Sequence, residues 1–157
     1  MALDLWWVET PAPGRVGVVQ RPRGGDWLPG DMAWLRTQGV DVIVSALQDK
    51  EIRDTHLLDQ GHHASANGLH YVRFPIGNML TPAAESLPAL RALAGRVRRG
   101  ERVVAHCFAC VGRSPLIAAS VLVLLGVPAE EAWLRVEQSR GCAVPDTLAQ
   151  RLWVAQL

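Results

Sequence analysis

The chain has 157 residues, of which 49% are hydrophobic and 20% charged, with a formal net charge of +1. That length and composition suit one folded domain, residues 1–157, with its own core, and exclude an intrinsically disordered chain. The near-zero charge leaves no general field for nucleic acid or an anionic membrane surface. The longest apolar run, Leu116 to Val127, falls short of the roughly 20 residues that a membrane-spanning helix needs. Three cysteines, an odd and unframed set, argue against a disulfide scaffold and for a reducing compartment, so a cytoplasmic protein is expected. Residues 1–10 carry Asp4 and Glu9 and no cationic segment, unlike a signal peptide. No pairing of histidines with cysteines has zinc-site spacing, and neither a metal nor a cofactor is expected.

In chain order, Leu5 to Val8 and Arg15 to Gln20 read as two strands joined across Pro11-Ala12-Pro13-Gly14, the second an edge strand. Arg21 to Gly25 is a Gly-rich loop whose basic residues either face the substrate or, as preferred, are solvated. Asp31 to Gln38 is a helix begun by an acid and closed by Gly39. Val40 to Leu47, almost continuously apolar, has the pattern of a parallel strand buried on both faces. Glu51 to Gln60 reads as a short helix, Gly61 to Gly68 as a polar loop with His62 and His63 exposed, and Leu69 to Ile76 as the next strand. Thr81 and Pro82 are suited to the cap and first position of a helix running to about Arg99, with Pro88 marking a kink or a later start. Arg102 to His106 is a strand. Helices follow near Arg113 to Leu125, Ala129 to Arg140 and Asp146 to Gln156. Trp133 and Trp153 lie on apolar helical faces and are core candidates. Trp6, Trp7 and Trp27 either wall the pocket or, as preferred, pack on the sheet edge. Strands alternating with helices imply an α/β fold, a mostly parallel sheet of four to five strands flanked by helices, with its ligand site at the carboxyl end of the strands.

The most telling stretch is His106-Cys107-Phe108-Ala109-Cys110-Val111-Gly112-Arg113-Ser114. It joins a strand to a helix through a tight loop. Residues Phe108 to Gly112 must wrap their N–H groups inward, and the helix start adds unpaired N–H groups and a positive dipole end. Arg113 adds a planar fork that matches two oxygens of a phosphate. The same field lowers the pKa of a cysteine at its centre, making Cys107 a nucleophile toward phosphorus. Ser114 is placed to hydrogen-bond the sulfur, and His106 to fix the loop. Cys110 admits two readings: a redox partner for Cys107, or a small residue filling a tight loop. Cys142, in a Gly-Cys-Ala turn, reads as a packing residue. A Cys-x-x-Cys pair also raises thiol redox or sulfur-transfer chemistry, which would have no need of Arg113.

The nine residues resemble the signature of the cysteine-dependent protein-tyrosine and dual-specificity phosphatases: His-Cys, five residues, Arg, then Ser or Thr. The resemblance extends over roughly Arg15 to Val154 and points to the compact, dual-specificity-like branch. It implies a phosphocysteine intermediate on Cys107, a phosphate clamp at Arg113, a thiolate-supporting hydroxyl on Ser114, and an acid at Glu51 that orients Arg113. It implies a water-positioning role for Gln150. Tyr71 to Pro82 resembles the loop that carries the general acid, with Pro75-Ile76 and Pro82 in place. The acid position itself holds Asn78. An amide cannot deliver a proton, and a positioned acid is worth about 100- to 10,000-fold in rate. A phenoxide leaving group, with a pKa of about 10, tolerates the loss better than a serine alkoxide. Three readings stay open: slow catalysis, another acid, with Asp146 and Asp49 as candidates, or phosphoester binding without turnover. Against Asp146 as an acid stands its reading as a dipole-favoured carboxylate in the first turn of a helix. The slow enzyme is preferred because Cys107, Arg113 and Ser114 are all retained. The loop interior has no lysine to meet further phosphates on a lipid headgroup. A phosphotyrosine protein or aryl phosphate is therefore the expected substrate, and a monomer the expected state.

Overall fold

The computed structural model describes residues 3–157. Five strands form one sheet: β1 (Leu5–Val8), β2 (Arg15–Val19), β3 (Val42–Ser45), β4 (His70–Arg73) and β5 (Arg102–His106), in the order β1-β2-β5-β3-β4. β1 pairs antiparallel with β2, and the other three pairings are parallel. β2 is therefore not an edge strand: β1 covers it. Seven helices flank the sheet: α1 (Leu28–Thr37), α2 (Asp49–Asp54), α3 (Gln60–Ala66), α4 (Leu87–Arg98), α5 (Arg113–Leu124), α6 (Ala129–Arg140) and α7 (Leu148–Ala155).

The pleat of the central strands sorts their side chains between two cores. Val42, Val44, Val103 and Ala105 face one core, with Leu90, Leu93, Leu116, Ile117, Trp133 and Val154 of α4 to α7. Ile43 and Val104 face the other, with Leu28, Met32 and Leu35 of α1 and Ala64 of α3. Both faces of β3 and β5 are thus covered, which explains their unbroken apolar runs. Residues Leu116 to Leu122 of α5 are buried on every side, as a helix apolar all round must be. That burial fixes the axis of α5, and its N-terminus sits at the carboxyl end of β5.

Several boundaries differ from the sequence reading. α1 begins at Leu28, with a proline in its first turn, and not at Asp31; Asp31 is buried and takes the Arg23 backbone N–H at 2.8 Å. The helix begun near Glu51 stops at Asp54, where the Thr55 hydroxyl bonds back to the Glu51 carbonyl at 2.7 Å and His56 turns to φ 57°. The supposed polar loop at 61–68 is mostly helix: α3 buries Ala64 and ends before Gly68, whose φ is 77°. No helix begins at Thr81. α4 starts at Leu87 with Pro88 in its first turn, where the missing N–H costs nothing; inside a helix begun at Pro82 it would remove a hydrogen bond. α7 starts at Leu148, because Thr147 and Gln150 form a reciprocal capping box, Thr147 Oγ1 accepting the Gln150 N–H at 3.1 Å and Gln150 Oε1 the Thr147 N–H at 3.2 Å. No helix of the described residues is long and apolar enough to cross a membrane.

Candidate active site

β5 ends at His106, and the next six residues loop back to the start of α5 at Arg113. Two peptide orientations in this loop follow from its outer contacts. The Phe108 carbonyl accepts a hydrogen bond from Arg21 at 3.2 Å, and the Cys110 carbonyl one from Arg140 at 2.9 Å. A trans peptide points its C=O and N–H in opposite directions, so the N–H groups of Ala109 and Val111 point the other way. There Ala109, Val111 and Gly112 line a cavity of about 410 Å³, together with Cys107, Phe108, Arg113, Glu51, Asn78, Met79 and Asp146. The loop thus forms an anion cradle at a helix N-terminus. Cys110 holds it closed at φ 61°, in the left-handed region, with its buried sulfur 3.0 Å from the Val19 carbonyl and its single S–H shared between that oxygen and the Cys107 sulfur.

The Cys107 sulfur is buried, 3.2 Å from the Ser114 hydroxyl. Its pKa is brought down to about 5 by the polar Cys110 thiol beside it, by the hydroxyl and backbone N–H of Ser114, and by the Arg113 charge; burial opposes them. At neutral pH the group is a thiolate. The same pairing and burial push Cys110 up, so its thiol stays protonated. Arg113 is almost wholly buried and grips Glu51 in a two-point fork, 2.7 Å to Oε1 and 2.8 Å to Oε2, while also donating to the Ile76 carbonyl at 3.0 Å. The fork orients the guanidinium and holds the Glu51 carboxyl below its usual range. Glu51 has a second duty: its Oε1 accepts the Gln48 N–H at 3.1 Å and so caps α2. His106 is fully buried against the Gln60 side chain, 3.0 Å from its Nε2, and burial pushes its pKa down to about 4. A neutral, enclosed imidazole thus stands at the base of the loop.

The segment from Ile76 to Leu80 is pinned at both ends. Ile76 donates to the Ala46 carbonyl at 3.0 Å, and the Leu80 carbonyl takes the Gln150 side-chain N–H at 3.0 Å. Between them Asn78 and Met79, the latter at φ 62°, reach the cavity. Asp146 reaches it from the other wall. It lies outside α7 and not in its first turn, because the capping box places the helix start beyond it. It packs closely on Gly112, so that a Cβ there would displace its carboxylate. Asp49 stays outside the cavity, exposed and paired with Arg73. Gln150 is buried behind Gly112, its amide committed to Leu80 and Thr147. Arg21 leaves the solvated-loop reading: it stacks over the Phe108 ring at 4.0 Å. Arg21, Arg140 and Gln60 support the loop from remote parts of the chain and carry no local sequence signal for that role.

A family model described as a polymorphic toxin system DSP-PTPase phosphatase matches residues 17–127. No match is found among curated proteins. Among solved structures, the kinase associated phosphatase, with its catalytic cysteine replaced by serine, superposes with a TM-score of 0.89 at 18% identity, over 99% of this chain and 94% of its own. Tk-PTP in its active form gives 0.72 at 27% identity, over 91% and 90%. PTPMT1 in complex with PI(5)P gives 0.75 at 16%, over 96% and 93%.

Proposed function

Since the chain belongs to the DSP-PTPase phosphatase family of polymorphic toxin systems, we propose that it hydrolyses aryl phosphomonoesters, phosphotyrosine foremost, through a phosphocysteine on Cys107, with Asp146 donating the proton that Asn78 cannot. The observation that carries this reading is the convergence of the low-pKa Cys107, Arg113 and Asp146 on one cavity. The phosphate sits in the loop, its oxygens on the N–H groups and on Arg113. The Cys107 thiolate forms an S–P bond as the P–O bond to the leaving group breaks, and the departing oxygen takes a proton from Asp146. Water then attacks phosphorus, giving its proton to the Asp146 carboxylate. Inorganic phosphate leaves, and the thiolate returns to its hydrogen bond with Ser114. Met79 and Phe108, both half exposed, line the same cavity and offer apolar surface to an aromatic leaving group.

Steady-state hydrolysis of an aryl phosphate and a phosphotyrosine peptide, with chelator present, tests the reading. Turnover of both, abolished in Cys107→Ser and reduced about 100-fold in Asp146→Asn, supports it. Bound phosphopeptide with no released phosphate would instead make the chain a phosphoester-binding module on a phosphatase fold. Thiol-dependent activity that persists in Arg113→Ala would overturn phosphate chemistry altogether.

A further inference from the structure

β4 closes one side of the sheet, with β3 along one flank and no strand along the other among the described residues. The His70 N–H donates to the Asp41 carbonyl at 2.9 Å, and the Phe74 N–H to the Ser45 carbonyl at 2.8 Å. Backbone groups alternate sides along a strand. The N–H and C=O groups of Tyr71 and Arg73 therefore point outward, and no backbone hydrogen bond takes them among the described residues. The side chains of these two residues share one face of the sheet. There two cavities follow the strand, one before Tyr71 and one after it. The first, of about 480 Å³, lies between α3, at Gly61 and Ser65, and the start of β4, at Leu69 and His70. The second, of about 330 Å³, has an apolar floor of Ile52, Leu57, Leu58 and Tyr71, with Arg53 and Arg73 beside it. Leu58 is 71% exposed, so nothing in the chain covers this floor. Arg53 forms no ion pair among the described residues, since the neighbouring Asp54 is held by Lys50 at 2.6 Å. Arg73 shares only Asp49, the one acid of the cavity, which is itself exposed.

We propose that this edge is a docking groove for an extended segment of a partner protein. The segment adds to the sheet beside β4, places an apolar side chain in the second cavity, and sets an acidic one two residues away beside Arg53 and Arg73. Main-chain bonds to Tyr71 and Arg73 hold the segment, and the cavities select its side chains. Same-face side chains of an added strand recur about every 7 Å, which suits two cavities in line along one strand. The cations select an acidic partner. A second copy of this chain would bring the same cations against themselves, and like charges across a strand pair repel. Neither cavity shares a lining residue with the one around Cys107, so docking here leaves the phosphate loop open.

The test is nuclear magnetic resonance of the isotope-labelled protein with end-blocked peptides: Thr-Glu-Thr-Leu-Thr-Glu-Thr, its counterpart with lysine for both glutamates, and its counterpart with serine for leucine. With the first peptide, the Tyr71 and Arg73 amides are expected to shift and their hydrogen exchange to slow. That peptide is expected to bind about tenfold tighter than either counterpart, a size that one good cross-strand or hydrogen-bonded contact reaches. Leu58→Glu and Arg53→Glu alter exposed side chains and are expected to abolish the preference, Arg53→Glu turning it toward the lysine peptide. Preserved resonances elsewhere show that both variants fold. No change at the Tyr71 and Arg73 amides with peptide at millimolar concentration, or a preference that survives both variants, overturns the groove. Shifts at the Cys107 loop in place of β4 overturn it too, and put the peptide in the first-described cavity. Slowed exchange at the two amides that grows with protein concentration, without peptide, overturns the partner segment and assigns the edge to a second copy.

Discussion

An unperturbed cysteine ionises at about 8.5, whereas Cys107, at about 5, is a thiolate throughout the neutral range. The sign is fixed: the reactive anion is present above pH 5 and is lost as the pH falls through it. The rate of alkylation by iodoacetamide, followed by mass spectrometry at Cys107, is expected to rise through a midpoint near pH 5 and to stay level through pH 7. In Ser114→Ala, which removes a hydroxyl 3.2 Å from the sulfur, the midpoint moves up. At Asn78, proposed to stand where the family carries its general acid, the expectation depends on the leaving group. Asn78→Asp should raise kcat on alkyl phosphates more than on aryl ones, because the proton matters most where the leaving group is worst. Equal effects on a series of leaving groups would show that residue 78 does not face the departing oxygen. The meeting of Cys107, Arg113 and Ser114 around one loop was legible because they sit within nine consecutive residues, where a strand, a loop and a helix start leave little freedom. Arg21 and Arg140 were not legible: they reach the loop from 87 and 30 residues away, and nothing near them in the sequence encodes that approach.

At the level of elements, two short capping boxes place two carboxylates. Gln48 with Glu51 starts α2 and aims Glu51 at Arg113; Thr147 with Gln150 starts α7 and leaves Asp146 outside it, against Gly112. The second box, Thr-x-x-Gln, is visible in the sequence as a helix-start signal. Giving that signal weight over the acid and proline just before it moves the helix start from Asp146 to Leu148. Pro88 likewise held the correct start of α4, while Thr81 and Pro82 offered an equally plausible local signal that the packing of Leu90 and Leu93 overrode. The Glu51–Arg113 pair ties α2 to α5. In Glu51→Ala the buried guanidinium loses both of its carboxylate contacts and α2 loses its cap. A stability loss of about 3 kcal/mol is expected, read from urea unfolding, with a larger fall in kcat/KM than in stability-matched surface variants. Unchanged activity would mean that Arg113 is oriented by the Ile76 carbonyl and the loop alone.

Across the molecule, the sheet and α5 hold the two ends of a loop that Arg21, Arg140 and the Val19 carbonyl fix between them. The almost unbroken apolar run from Val40 to Leu47 made the doubly covered parallel sheet readable in the sequence, because Val42 and Val44 face one core and Ile43 the other. The pairing of β1 with β2 across the Pro11–Gly14 turn was legible too, whereas the α3 helix was settled by packing. Shortening a side chain under α5 should therefore be felt as stability first and chemistry second. Leu116→Ala, fully buried one turn from Arg113, is expected to cost about 2–5 kcal/mol and to lower kcat through the position of Arg113. Unfolding midpoints and turnover measured well below the melting temperature separate the two effects. The central claim is that Cys107 carries the phosphoryl group between two half-reactions. Its most direct test is pre-steady-state release of an aryl leaving group at enzyme-level concentrations, with chelator present, for the parent protein and for Cys107→Ser. A burst close to one equivalent per chain, followed by slower turnover and absent from Cys107→Ser, is what this account expects. Turnover that survives in Cys107→Ser would contradict it.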